Sequence, residues 1–106
     1  MDNMKALYII SNAGHAESIV EIARSQGARG ATILNARGSA PTHQVFMGIT
    51  IDTEKEIVLC LTTENVCNNI MEAVKEQAGI NTAAHGVCFS MPVDKIVGLK
   101  TENTPE

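Results

Sequence analysis

"GARGATILNARG", residues 27–38, sets three glycines and two arginines around the apolar run of residues 31–36. That composition fits either a glycine-rich cradle for phosphate or the punctuation on both sides of a β-strand. A dinucleotide-binding fingerprint places its glycines after a strand and at the opening of a helix, and a P-loop ends in Gly-Lys-Ser/Thr. Here the glycines follow a helical pattern and enclose a strand pattern, so neither motif is present. Gly27 and Gly30 read as a helix end and a strand entry. Gly38 stands at the far end of the strand, where the missing Cβ lets an anion approach backbone amides. Arg37 beside it can add charge-assisted hydrogen bonds to a carboxylate or phosphate. A solvated strand end explains Arg37 and Gly38 equally well.

Upstream, "KALYII" (5–10) predicts a strand, and "SNAGHAE" (11–17) offers Ser11 or Asn12 as a helix cap with Glu17 in the opening turn. Ala16, Ile19, Val20 and Ala23 then follow the i, i+3, i+4, i+7 spacing of a helix with one buried face, closed by Gly27. Downstream, "RGSAPTHQ" (37–44) has no apolar periodicity and reads as a loop. "VFMGITI" (45–51) resumes as strand, "DTEK" (52–55) turns, and "EIVLCL" (56–61) returns as its hairpin partner. "TTENVCNNIMEAVKEQAG" (62–79) is the clearest helix: Thr63 and Glu64 open it, Val66, Ile70, Ala73, Val74 and Gln77 trace its stripe, and Gly79 ends it. "INTAAHG" (80–86) is a loop and "VCFSMPV" (87–93) a strand that Pro92 confines to an edge or a bend. "DKIVGLK" (94–100) reads as further extended chain.

The resulting order, β-α-β-loop-β-α-β, predicts an α+β ferredoxin-like βαββαβ sandwich: an antiparallel sheet with two helices on one face. Residues 1–100 form a single domain and 101–106 a polar tail, in a chain of 106 residues. Aromatics are limited to Tyr8, Phe46 and Phe89, so the core is aliphatic. A net charge of −4, from 8 Lys+Arg against 12 Asp+Glu, with no basic run, argues against nucleic acid as a partner. The apolar runs are too short for a transmembrane helix, and residues 1–8 lack the apolar core of a signal peptide. Cys60, Cys67 and Cys88, odd in number and without CxxC spacing, suit a reducing cytoplasm.

These segments resemble the P-II signal-transduction family, the nitrogen regulatory proteins. "GARGATILNARG", "EKEIVLCLTTENVCNNIMEAV" (54–74) and "HGVCFSMPVDKIVGLK" (85–100) carry the resemblance through their order and spacing. It implies a homotrimer with sheets turned inward and a cytoplasmic regulator rather than an enzyme. Clefts between subunits would bind a small effector: an adenine nucleotide (ATP, ADP or AMP) or another anion. A mobile loop would dock on a metabolic enzyme or membrane transporter, in nitrogen metabolism. The ligand-binding positions it implies here are Thr32, Arg37, Gly38, Thr62, Gly86, Lys95 and Lys100.

The match has departures. Residues 37–44, which would stand for the family's switching loop, are short and lack tyrosine, so tyrosine modification is not expected; Ser39 and Thr42 fit either phosphoacceptors or, as loop Ser and Thr more often are, ordinary turn residues. After Gly86, where the family has a phosphate-binding lysine, this chain has Val87. Lys95 and Lys100 remain as the late basic residues. Each lost charged hydrogen bond removes roughly 1.5–3 kcal/mol, so the inventory favours an adenylate less charged than ATP.

The alternative is a metal-binding trimer resembling the CutA proteins, drawing on His15, His43, His85 and Cys88. No two histidines have i, i+4 spacing, and no metal site is assigned. No catalytic residues are assigned either. Asp52, Glu54 and Glu56 read as a solvated turn, and Cys67, partly exposed on the second helix, has no basic neighbour to activate it.

Overall fold

Alternating apolar residues in β1 (Met4–Asn12) send Leu7, Ile9 and Ser11 to one face of a sheet and Tyr8 and Ile10 to the other. The computed structural model describes residues 3–38, 44–46, 49–51 and 53–99. After β1 come α1 (Ala16–Ser25), β2 (Thr32–Gly38), β3 (Gln44–Phe46), β4 (Ile49–Ile51), β5 (Thr53–Thr63), α2 (Glu64–Ala78) and β6 (Val87–Pro92). The four-stranded sheet has the order β2-β5-β1-β6, every pair antiparallel. Both β1 and β2 run against β5, which lies between them: the split βαβ of the ferredoxin-like fold.

Both helices cover one sheet face. Ile19, Val20 and Ala23 of α1 and Cys67, Ile70 and Val74 of α2 close over Leu7, Ile9, Val58 and Cys60. Each fully buried aliphatic side chain there contributes about 1.5–3 kcal/mol. The buried stripe of α2 adds Cys67 and takes in Ala78 where Gln77 was expected, with Val66 partly buried against the core as expected, and Cys67 is buried, not partly exposed.

The helix ends show which signals were local. Gly27 has φ +110°, and Ala28 N–H donates to Ala23 O while Gly27 N–H donates to Arg24 O. This is the Schellman pattern expected of a glycine at that place. Thr63 caps α2, its Oγ1 accepting from Val66 N–H at 3.5 Å. Two expectations fail. Ser11 and Asn12 are not caps but the last residues of β1; the N-cap of α1 is His15, without a side-chain cap. Gly79 ends α2 with φ −77°, not in the left-handed region; a Cβ there would lie 2.5 Å from Lys75 O, and this contact is why glycine is needed.

Residues 45–51 do not form a strand paired with 56–61. β5 begins at Thr53, so "TEK" is strand rather than turn, and it pairs with β2 from Gly38↔Thr53 to Thr32↔Leu59. β3 and β4 instead make a separate two-stranded sheet between those partners. The connection expected at 37–44 therefore runs over 39–52 and carries its own hairpin, while Arg37 and Gly38 belong to β2. Glu54 and Glu56 sit in β5; Asp52, Ser39, Thr42 and His43 lie outside the described residues. Residues 94–99 are irregular, not extended, with Gly98 at φ +92°. β6 is the edge strand that Pro92 required.

Candidate functional site

Among the described residues, nothing covers the sheet face away from the helices. In the register it carries Ala6, Tyr8 and Ile10 from β1, Ile57, Leu59 and Leu61 from β5, Val87, Phe89 and Met91 from β6, and Leu34 from β2. Leu34, Leu61, Phe89 and Met91 are each 41–43% exposed and Val87 is 51% exposed. Tyr8 and Phe89, directly paired, stack with ring centroids 5.1 Å apart and 9° between planes. A contiguous apolar face of this kind marks an association surface.

Along the β2 edge of that face run Thr32, Leu34, Ala36 and Gly38, opposite Leu59, Ile57, Lys55 and Thr53. Six residues of extended chain separate the threonine from the glycine, ~20 Å. Of the seven positions expected to bind ligand, the described ones are not gathered at one point. Thr32 begins β2 opposite Leu59, level with Tyr8 in the middle of β1, while Thr62 lies where β1 starts, the end that the chain leading to Lys95 also reaches, since Val93 N–H bonds to Met4 O at 3.1 Å. Arg37 and Gly38 lie at the other end, where β1 finishes, together with the loop that leads to Gly86. Lys100 is outside the described residues.

Individual positions differ in what they offer. Thr32 is exposed on the open face. Thr62 faces the helices, is 6% exposed, and its Oγ1 has no hydrogen-bond partner. Its strand neighbour Lys5 pairs with Glu64 at 3.7 Å. Arg37 stands opposite Glu54, on the helix side of β2. Gly86 donates its N–H to Ala78 O at 2.7 Å, and a Cβ at this residue would lie 2.4 Å from that oxygen. Its glycine is required to close the loop over the end of α2, and its amide points there.

Residues 79–86 form a bonded loop. Thr82 N–H and Oγ1–H both donate to Gly79 O, at 3.0 and 2.8 Å, and His85 N–H donates to Thr82 O. His85, in the left-handed region at φ 51°, places Nδ1 2.9 Å from Ile80 O. Asn12 ties the loop to the sheet: its backbone N–H donates to Ala84 O (2.9 Å) and its Nδ2 to Ala83 O (3.1 Å). Its Oδ1 accepts from Lys55 Nζ at 2.7 Å, and the stem of Lys55 lies against Gly38.

Sequence reasoning missed Asn12 and Lys55 because it placed one in a cap and the other in a turn. The available signal was the polar pair "EK" interrupting an otherwise continuous strand pattern. Behind the sheet, Glu56 Oε1 accepts from Gly14 N–H (2.8 Å) and Ala16 N–H (3.2 Å), supplying the negative group that the N-terminus of α1 favours.

The thiols of Cys60 and Cys88 are not activated. Burial pushes Cys60 and Cys88 above the ordinary thiol range, and the nearby Cys67 adds to this in both. Among the described residues, which do not include His43, no group of three or more His, Cys, Asp or Glu side chains is placed to hold a metal ion. No described helix is long and apolar enough to cross a membrane.

The family model for nitrogen regulatory protein P-II matches residues 4–103. No curated protein matches the sequence. Among solved structures, a protein of Thermus thermophilus described as a PII-like signalling protein is 19% identical, with a TM-score of 0.67 and coverage of 85% of this chain and 86% of that one. The Bacillus subtilis GlnK–ATP complex is 14% identical, with a TM-score of 0.66 over 86% and 83%. CPII of Thiomonas intermedia, bound to ADP and bicarbonate, is 22% identical, with a TM-score of 0.64 over 85% and 85%. At these identities the structural likeness speaks for the fold.

Proposed function

The chain belongs to the nitrogen regulatory protein P-II family of signalling proteins, which are regulators and not enzymes, and from that premise we propose that it is a trimeric sensor of an adenine nucleotide. The observation that carries this reading is the uncovered apolar sheet face bordered by the Thr32–Gly38 edge. Three copies turned inward would bury that face and leave each β2 edge as one wall of a cleft between neighbours. An elongated ligand with an apolar ring and a charged end suits the strip, since Leu34 and Ala36 occupy its middle and the Lys55–Asn12 pair one end. GlnK with ATP and CPII with ADP and bicarbonate support this ligand class.

In this reading Thr32, Gly38 and Gly86 belong to one wall of the cleft with Arg37 at its helix-side rim, Thr62 lies buried behind that wall on the helix side, and Lys95 and Lys100 belong to the wall from the neighbouring subunit. Gly86 contributes by shaping its loop, because its amide is already bonded. The absence of a lysine after Gly86 favours ADP or AMP over ATP. Occupancy of the cleft would change the 80–86 loop, and with it a contact to a cytoplasmic partner, a metabolic enzyme or a membrane transporter in nitrogen metabolism.

Calorimetric titration of the wild-type protein with ATP, ADP, AMP and divalent metals tests the effector, alongside sedimentation for the assembly. Saturable adenylate binding by a trimer is expected. A protomer that stays monomeric at micromolar concentration, or a trimer silent to all three nucleotides, overturns the proposal.

A further inference from the structure

We propose that Lys55 is the cation that receives a phosphoryl oxyanion at the Gly38 end of the strip, in place of the lysine missing after Gly86. This rests on the nucleotide-sensor reading and names a residue that the family resemblance did not single out.

Its placement comes first. Lys55 pairs with Ala36 in the β2–β5 ladder and with Asn12 in the β1–β5 ladder, so it projects from the open face between the edge strand and the 79–86 loop. Gly38 makes this conformation available: a Cβ there would stand 3.0 Å from Lys55 Cε and 3.3 Å from Cγ. The ammonium is thus held beside a strand end and a loop end that both lie on the strip.

Charge is the second consideration. The bonded partner of Lys55 is the neutral amide oxygen of Asn12, which takes one of three ammonium protons. The adjacent carboxylates are directed away, since Glu54 and Glu56 alternate to the helix side, where Glu56 accepts from the amides of α1. Among the described residues no carboxylate forms an ion pair with Lys55. In a chain of net charge −4, a half-buried cation held by a neutral group is ready for an anion. The chain leading to Lys95 reaches the opposite end of β1 within the same subunit, away from this place.

Asn12 gives the contact a consequence, because the residue that orients Lys55 also holds the Ala83 and Ala84 carbonyls. An anion drawing on the ammonium would alter the hold on the loop through one side chain.

The test titrates ADP, adenosine and inorganic phosphate separately into wild type, Lys55→Met, Lys55→Gln and Lys55→Arg, each checked for an unchanged melting transition. Lys55→Gln removes the charge while keeping a donor for Asn12, so it serves if the methionine variant does not fold. Loss of a charged hydrogen bond lowers affinity about tenfold to a hundredfold. That loss is expected for ADP in the Met and Gln variants, with adenosine unaffected and Lys55→Arg close to wild type. Phosphate binding that depends on Lys55 while ADP is silent would support the oxyanion site and overturn the nucleotide reading. ADP affinity equal in wild type and Lys55→Gln overturns the role of Lys55 and leaves the nucleotide reading standing. Wild type silent to both ADP and phosphate overturns both.

Discussion

Lys55 and Asn12 face each other across the β1–β5 ladder, and the lysine ammonium donates to the asparagine Oδ1 at 2.7 Å. They are 43 positions apart in sequence, and Asn12 also carries the loop of residues 79–86 on its side-chain nitrogen and its backbone amide. Asn12→Ala removes both side-chain bonds and keeps the backbone one. A loss of about 1–2 kcal/mol is expected, since one of the two bonds involves a charge. It should appear as a lower urea midpoint, with faster amide exchange in 80–86 while the core amides of Leu7 and Ile9 keep their relative protection. Unchanged exchange in the loop would show that its own Thr82 and His85 bonds suffice to hold it.

The loop closes on α2 through two glycines that no other residue replaces without strain. A methyl at Gly86 would meet Ala78 O at 2.4 Å and one at Gly79 would meet Lys75 O at 2.5 Å; both contacts are to backbone, which cannot swing aside. Gly86→Ala and Gly79→Ala are each expected to cost about 1–3 kcal/mol, as overpacking does. In a domain of this size that lowers the melting temperature by roughly 4 °C or more per kcal/mol. Gly30→Ala, which meets nothing within 4 Å, serves as the control and should leave the transition in place.

Helix α1 depends on an acceptor from another element. Glu56 Oε1 takes the Gly14 and Ala16 amides, while the N-cap residue His15 offers no side-chain bond. Glu56→Ala is expected to destabilise by about 1–2 kcal/mol, the upper range of a lost cap, because charge and acceptor go together. Glu56→Gln keeps an acceptor and should lose less than half as much. Thermal melts of the two variants under identical salt conditions check the ordering.

The buried thiols predict how stability changes at alkaline pH. Burial, reinforced by Cys67, raises Cys60 and Cys88 above their ordinary values, so the folded chain keeps these protons after the unfolded chain has released them. With more protons bound in the native state, stability falls as pH rises. The contribution is fully present below the unfolded thiol value of about 8.5 and is lost as pH climbs through the raised folded values. Urea midpoints at pH 7.5 and about 9.5 should therefore diverge more for wild type than for Cys60→Ala. Equal pH dependence in the two proteins would mean that other groups set the alkaline slope.

Sequence legibility followed locality. α1 was readable because Ala16, Ile19, Val20 and Ala23 repeat at helical spacing and Gly27 supplies the left-handed closing residue. Pro92 narrowed β6 to an edge or a bend, and the sheet order puts it at the edge. The start of β5 was not readable: "TEK" has turn chemistry, and only pairing with β2 and partners from β1 and α1 make its lysine and glutamate strand residues. Once those three were assigned to a turn, "VFMGITI" had to serve as the sheet strand, and the long 39–52 connection was shortened to fit. At the site, the Thr32–Gly38 strip could be located from its glycines. The spread of the expected positions over the sheet, and the link from Lys55 through Asn12 to the loop, depend on register, which one sequence does not display.

The uncovered sheet face leads to the strongest expectation about assembly. Tyr8 and Phe89 stack there, both partly in water, although large aromatic surface is ordinarily where burial gains most. Leu61, Leu34 and Met91 extend the same surface. Phe89→Glu would place a carboxylate on it beside Tyr8 without touching the core, because the side chain projects away from Leu7, Ile9 and both helices. If three copies bury this face, the charge must be desolvated in each subunit, and trimers should dissociate to protomers that keep the wild-type far-ultraviolet spectrum. Adenylate binding should disappear with the assembly, since each cleft needs two chains. Sedimentation velocity and titration of the same sample distinguish the outcomes. A Phe89→Glu protein that remains trimeric and binds ADP as wild type does would place the subunit interface elsewhere and separate the nucleotide site from the sheet face.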